Sequence, residues 1–328
     1  MEIKKLAVLG PRGNVGSAII NNLLKDGTRF EITAITRQSS TYTAPPESNI
    51  THKSVDYTST ESLVSAFTGQ DAVVNCITGG ATQYEPSKLI IDAAIAAGVK
   101  FYFANEFVSN LMSEQYKRLP ESYVGAKVRI RAYLEGLARE GKITWTSLNG
   151  GPLFDMWVAK GPAGFDIANR RARIYGIEDD AGDHPLYWTP LPTIALAAAN
   201  MLRNPEPISN RPIYICPIPH LTQNIILATL EDVLQTKFDV EHVDVKKINE
   251  NARIALDRGE IVKAMKGLAV SNQFYAGDSG NDFSHLIENE TVGVEMTTVE
   301  EAIMETLKKY GEDCQAVATL LNVEPCEI

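Results

Sequence analysis

The sequence holds only four cysteines, Cys76, Cys216, Cys314 and Cys326, in 328 residues, with no CxxC spacing and no nearby histidine pair. That scarcity argues against a disulfide framework and against a thiolate metal site, so no metal is expected. Cys76 lies in the mostly apolar run Ala72–Ile77 and reads as a buried core thiol. No stretch approaches the roughly 18 apolar residues of a membrane span. Met1-Glu-Ile-Lys-Lys enters an apolar strand at once, which leaves no room for the apolar segment of a secretion signal. Basic residues are also scarce: 31 Lys and Arg stand against 41 Asp and Glu, a formal charge of -10. That is the wrong sign for a nucleic-acid surface. The expectation is a cytoplasmic protein, a monomer or homodimer, whose partner is a small molecule rather than nucleic acid or membrane.

With 44% hydrophobic and 22% charged residues, the chain has the composition of an ordinary globular protein. Its first half alternates short apolar runs with helical patterns, as a parallel α/β sheet requires. Strands are predicted at Leu6–Leu9, Glu31–Thr36, Ile50–Asp56, Asp71–Ile77, Lys100–Ala104 and Ile143–Leu148. Helices are predicted at Asn14–Lys25, from Thr60 through Phe67, at Pro86–Ala97 and at Glu121–Arg139. Six strands with crossovers make the two halves of a Rossmann-type, doubly wound sheet. After Asn149-Gly-Gly-Pro152 the rhythm changes, and Gly, Pro and aromatic residues become frequent through Thr189. Residues 1–150 are therefore expected to form the nucleotide domain and 151–328 mainly a smaller C-terminal substrate lobe. A helix at Leu191–Leu202 and a strand at Pro212–Cys216 are candidates for a return to the main sheet. Further helices are predicted at Thr222–Leu234, Lys246–Leu256, Glu260–Leu268 and Thr298–Tyr310, the last with Thr298 as N-cap. Asn272–Glu290, rich in Gly, Asn, Asp and Ser, reads as a loop.

Between the first strand and helix stands Gly10-Pro-Arg12-Gly13-Asn14-Val15-Gly16. Glycines at these spacings permit a tight turn, close approach of a pyrophosphate, and close helix packing. The uncapped helix end then attracts the phosphates. Beyond the second strand, where NAD-selective sites place a carboxylate, the chain reads Thr36-Arg37-Gln38-Ser39-Ser40. A guanidinium there can pair with a ribose 2′-phosphate and stack on adenine. NADP(H) is the expected cofactor, with Arg37 on the 2′-phosphate and Arg12 a second phosphate ligand.

The pattern Gly10-x-x-Gly13-x-x-Gly16, the strand-end Arg37, Asp71-Ala-Val-Val-Asn-Cys76, Gly98-Val-Lys-Phe-Tyr-Phe-Ala-Asn-Glu106-Phe107 and a helix carrying Lys127 resemble the NmrA-like and isoflavone-reductase-like branch of the atypical short-chain dehydrogenases. The resemblance runs to about Tyr310. It implies NADPH-dependent reduction of a small, often aromatic, metabolite, and Phe154-Asp-Met-Trp157 is similar to fungal members tied to secondary metabolism. In the family a glycine commonly follows the segment like Asn105-Glu106-Phe107; here Val108 stands in its place. Thr78 and Asn105, behind the fourth and fifth strands, join the expected cofactor contacts.

Tyr123-Val-Gly-Ala-Lys127 places a phenol and an amine on one helical face. A neighbouring ammonium lowers the phenol's pKa, so tyrosine can protonate a carbonyl oxygen as hydride arrives, and the lysine can also hold the nicotinamide ribose. This resembles the YxxxK motif of ordinary short-chain dehydrogenases, but Ala104 and Asn105 stand where the partner serine would be. In the isoflavone-reductase branch the lysine alone is implied as acid or base. Tyr123 and Lys127 are both catalytic candidates, and Lys127 a cofactor contact as well. Asn149, Phe154 and Trp157 are candidate substrate contacts. The function expected is reduction of a carbonyl, imine or conjugated C=C by NADPH. The alternatives are a sensor that binds NADP(H) without turnover, and a redox-neutral rearrangement in which hydride is borrowed and returned.

Overall fold

The computed structural model describes residues 1–77, 83–121, 125–177 and 181–323. Strands β1 (Lys5–Leu9), β2 (Glu31–Arg37), β3 (Thr51–Val55), β4 (Ala72–Asn75), β5 (Phe101–Ala104) and β6 (Thr144–Asn149) form one parallel sheet. Later in the chain come β7 (Phe165–Asp166), β8 (Arg171–Gly176), β9 (Arg211–Tyr214) and β10 (Asp239–Asp244). β9 returns to pair with β6, giving the order β3-β2-β1-β4-β5-β6-β9. Order reverses between β1 and β4, and the cleft beyond the carboxyl ends there is where such sheets bind ligands.

Helices clothe both faces. α1 (Asn14–Leu23) lies on one side, α2 (Thr60–Phe67), α3 (Tyr84–Ala96) and α5 (Ala126–Arg139) on the other; short α4 (Glu114–Lys117) precedes α5. Side chains alternate across a strand. Leu6 and Val8 therefore join Ile19 and Ile20 of α1 in one core, while Ala7 and Leu9 join Leu63, Ile90 and Leu134 in the other. Burial on both faces explains why these strands read as unbroken apolar runs. α6 (Phe154–Lys160) leaves directly from the carboxyl end of β6, whereas α7 (Leu191–Arg203) comes back to pack on α1.

The remaining helices, α8 (Gln223–Leu234), α9 (Val245–Asp257), α10 (Ile261–Phe274), α11 (Val299–Tyr310) and α12 (Ala318–Leu321), belong with the small sheet β10-β8-β7. Their shared core is aromatic, built on Phe154, Phe165, Tyr175, Trp188 and Phe274. Thr298 closes a capping box with Glu301 at the start of α11.

Two expectations change here. Glu260–Leu268 was expected as the helix, yet α10 runs on to Phe274 and takes in Asn272 and Gln273. Their polarity mimics a loop, but each amide oxygen meets a buried donor. Asn272 Oδ1 accepts from Gly280 N at 3.0 Å, and Gln273 Oε1 accepts from Trp188 Nε1 at 3.0 Å. The residues beyond form short 3₁₀ turns, at Ala276–Asp278, Ser284–Leu286 and Asn289–Val292. Strands β8 and β10 were not anticipated either. β10 is an exposed edge with only Val243 buried, so it carries no apolar alternation.

One buried ion pair ties the carboxyl ends of three strands to a helix. Glu106, just past β5, receives Arg131 Nε of α5 at 2.9 Å and the Arg131 Nη2 as well. Ser147 Oγ and Asn149 Nδ2 of β6 donate to the same carboxylate at 2.7 and 2.9 Å. Arg131 Nη1 reaches Tyr214 of β9 at 3.2 Å. Glu106 and Arg131 are 3% and 4% exposed, so neither can be left alone without cost. Burial pushes the Glu106 carboxyl up, but Arg131, Asn149 and Ser147 outweigh it and hold the pKa below the usual value. Glu106→Gln should therefore cost roughly 3–5 kcal/mol, as stranding one buried charge does, whereas Glu106→Met with Arg131→Met should recover at least half of the loss. Urea unfolding of the single and double variants checks this.

Candidate active site

The glycine loop follows β1. Gly10 has φ of +71°, and a Cβ there would sit 2.5 Å from the Cys76 carbonyl. At Gly16 a Cβ would meet the Gly10 carbonyl at 2.3 Å. Both glycines are demanded by the protein's own packing. Gly13 is different: its φ is -70°, and a Cβ would meet nothing closer than 3.4 Å. Nothing inside the fold requires glycine there, so the space kept clear lies on the ligand side. Gly13 also caps α1 without a side-chain bond, and no acidic residue occupies the first turn. The free N–H groups of Asn14, Val15 and Gly16 thus start a helix open to an anion. Burial pushes the Cys76 thiol up to about 12, so the wall of the loop stays neutral.

Beside the loop lies a cleft of about 650 Å³ bordered by Arg12, Gly13, Thr36, Arg37, Ser40 and Tyr57. Arg37 is exposed, and its Nε donates to Ser40 Oγ at 3.1 Å, which holds the guanidinium at the end of β2. Arg12 is exposed at the same mouth. These residues fit the pyrophosphate and adenosine half of a dinucleotide bearing a 2′-phosphate.

From the loop, contacts lead along the carboxyl edge of the sheet. Cys76 N donates to Leu9 O at 3.0 Å, Asn105 Nδ2 donates to Ile77 O, and Lys127 Nζ donates to Glu106 O. Glycine loop, Asn105 and Lys127 are therefore neighbours in one row. Lys127 is half-buried at the start of α5, and loss of solvent lowers its pKa to about 8 although Glu106 pulls the other way. Phe107 then turns the chain with φ of +44°, stacked on Phe103 at 6.0 Å. Val108 is not among the positive-φ residues. A β-branched side chain is tolerated there because Phe107, one position earlier, takes the left-handed conformation.

Phe107 and Val108 open a second cavity of about 220 Å³. Its other walls include Leu119, Leu153 and Trp157, with Leu268, Asn272 and Gln273 from α10. It is smaller than the roughly 300–1,000 Å³ of common ligand pockets, and mostly apolar.

The expected residues divide among these places. Gly10, Arg12, Gly13 and Arg37 border the first cleft, Asn14, Val15 and Gly16 form the first turn of α1 behind it, Asn105 and Lys127 stand in the row, and Trp157 lines the apolar cavity. Asn149 is fully buried and bonded to Glu106, and Phe154 is fully buried in the C-terminal core; neither borders the cavity. Thr78 and Tyr123 lie outside the described residues. Glu106 entered the sequence reading only as part of a family-like segment, with no role assigned, and Arg131 and Gln273 went unnoticed. The i, i+4 spacing of Lys127 and Arg131 offered a signal only for Arg131.

A seven-stranded Rossmann sheet with a phosphate-ready glycine loop at its switch point defines a nucleotide-dependent enzyme class. Residues 10–162 match the family model described as NAD(P)H-binding. The oxidoreductase aprR of Aspergillus flavus is 30% identical over 311 residues, which cover 93% of this chain and 99% of that protein. An NmrA-like family domain-containing oxidoreductase, ptmS of Penicillium ochrochloron, is 33% identical over 108 residues, covering 30% of this chain and 32% of that one. The crystal structure of an isoflavone reductase superposes with a TM-score of 0.69 at 21% identity, over 93% of this chain and 99% of that one. The chain belongs to the NmrA-like and isoflavone-reductase-like family of NAD(P)-binding oxidoreductases. Among the described residues, no helix is long and apolar enough to cross a membrane.

The glycines should separate by experiment. Gly13→Val should leave circular dichroism and Tm close to wild type while abolishing cofactor binding in a fluorescence titration. Gly16→Val should lower Tm as well, because its side chain must displace the Gly10 backbone.

Proposed function

We propose that the protein is an NADP(H)-dependent reductase of a small, apolar, aromatic metabolite that carries a carbonyl, imine or conjugated C=C. The observation behind this reading is that Lys127, a partly desolvated ammonium, donates to Glu106 O, one residue before Phe107 of the apolar cavity wall. Gly10–Gly16 would hold the pyrophosphate, Arg37 with Ser40 and Arg12 the 2′-phosphate, and Asn105 and Lys127 the nicotinamide ribose. The bound cofactor supplies the hydride. Lys127 supplies a proton to the substrate atom that gains electron density, and its lowered pKa brings that transfer near neutral pH. The cavity walls exclude water and receive the ring. In this reading residues 1–150 with 191–216 form the cofactor unit, and most of 151–328 forms the substrate lobe. The reductase name of the isoflavone enzyme that shares the fold agrees with this assignment.

Two measurements test it. Arg37→Glu should weaken NADPH binding about ten- to a hundredfold, the reach of one charge-assisted phosphate contact, and should invert or collapse the NADPH/NADH preference. A wild type that favours NADH would overturn the cofactor assignment. For catalysis, the ammonium form of Lys127 is required, so kcat/KM for reduction should be level below pH about 8 and fall above it. Lys127→Met should lower turnover by roughly 10²–10⁴-fold and remove that limb, while Tyr123→Phe stays within a few-fold. The same substitution should not lower Tm at pH 7. The folded-state pKa lies below the unfolded one, so burial of the ammonium costs stability in full below pH about 8, and that cost fades as pH rises from there toward the ordinary lysine value of 10.5. Unchanged turnover in Lys127→Met would remove α5 from the mechanism.

A further inference from the structure

Two polar side chains on the wall of the apolar cavity have hydrogen-bonding capacity left over, Ser109 through its hydroxyl and Gln273 through its amide. Gln273 on α10 is 3% exposed and borders the cavity. Its Oε1 accepts from Trp188 Nε1 at 3.0 Å. An indole nitrogen can only donate, so the amide oxygen must face Trp188, and the NH₂ group must point the other way. Trp188 is itself fully buried, pinned between Trp157 at 5.2 Å and Phe274 at 5.8 Å, so this orientation is held from behind. Among the described residues, Gln273 Nε2 has no hydrogen-bond acceptor. Its neighbour Asn272 is oriented in the same way, with Oδ1 accepting from Gly280 N at 3.0 Å. An amide donor that a bound molecule cuts off from water without giving it an acceptor is costly. Of the wall's side chains, Phe107, Val108, Leu119, Leu153 and Leu268 have no acceptor to offer it, and neither Ser109 nor Tyr116 is hydrogen-bonded to it.

We propose that Gln273 is a substrate-recognition residue that donates to an acceptor oxygen on the substrate, remote from the atom that is reduced. Resting on the reductase reading, this names the substrate class: an aromatic compound with a reducible group toward Lys127 and a second oxygen, of an ether, carbonyl or ester, at the α10 end. A purely hydrocarbon ring of the same size leaves the donor stranded and binds less well.

Matched probes test it. 4-Methoxybenzaldehyde and 4-ethylbenzaldehyde have nearly the same shape, and only the first places an acceptor oxygen opposite the aldehyde. Affinities are measured by ligand-observed NMR titration of the NADP⁺-saturated protein, where no turnover occurs. Wild type should bind the methoxy probe about three- to tenfold more tightly, the reach of one net hydrogen bond. Gln273→Met fills the same space and leaves a weak sulfur acceptor for Trp188, and it should bring the ratio to about one with little change for the ethyl probe. Equal affinity of the two probes for wild type, failure of both to bind, or a preference that survives Gln273→Met would overturn the proposal. NADPH oxidation, followed separately by absorbance, tests the other reading. A wild type that prefers the methoxy probe yet oxidises no NADPH with either aldehyde supports the subsite and counts against the reductase.

Discussion

A carboxylate and a guanidinium withdrawn from water hold together only where geometry and further hydrogen bonds offset their lost hydration. Glu106 and Arg131 meet that condition at the carboxyl edge of the sheet, with Ser147, Asn149 and Tyr214 completing the contacts. The Lys127 end of the site hangs from that pair. It fixes Glu106, whose carbonyl receives the Lys127 ammonium, and so sets where the candidate acid stands. It also fixes the start of the Phe107 turn, which opens the apolar cavity. The same carboxylate draws the Lys127 pKa upward against the effect of burial, so one group positions the amine and moderates its charge.

The two halves of the site answer to different physics. The dinucleotide cleft is made by backbone: a helix end without a cap, a glycine that the fold does not need, and a guanidinium steadied by Ser40. The apolar cavity is made by side chains from segments far apart in the chain, with Phe107 after β5, Trp157 on α6 and Gln273 on α10. Aromatic packing of Trp157, Trp188 and Phe274 sets its back wall, and the indole of Trp188 decides which way Gln273 faces.

Asn149 illustrates how position in the sequence misleads about role. It ends the sixth strand, where a substrate contact is expected, but its amide turns inward because Glu106 needs a donor. Phe154 and Trp157 are three residues apart on one short helix, and only Trp157 reaches the cavity, while Phe154 is absorbed into the core. Asn272 and Gln273 read as loop residues for the opposite reason. Their amide oxygens are engaged inside the protein, so a helix can carry them.

Local chemistry made the cofactor half legible from the sequence alone. A strand, three spaced glycines, a helix and an arginine at the next strand end act over a few residues each, and none needs a distant partner to be recognised. The parallel sheet was legible too, since burial on both faces leaves apolar runs. Only the tertiary structure decided the rest. The Glu106–Arg131 pair spans 25 residues and draws on Tyr214, 83 residues beyond Arg131. The edge strand β10 has no periodic signal because solvent covers it. Gln273 acquires its orientation from an indole 85 residues away. Charge neutralisation, edge pairing and amide orientation depend on which groups meet in space, and residue order does not encode that locally.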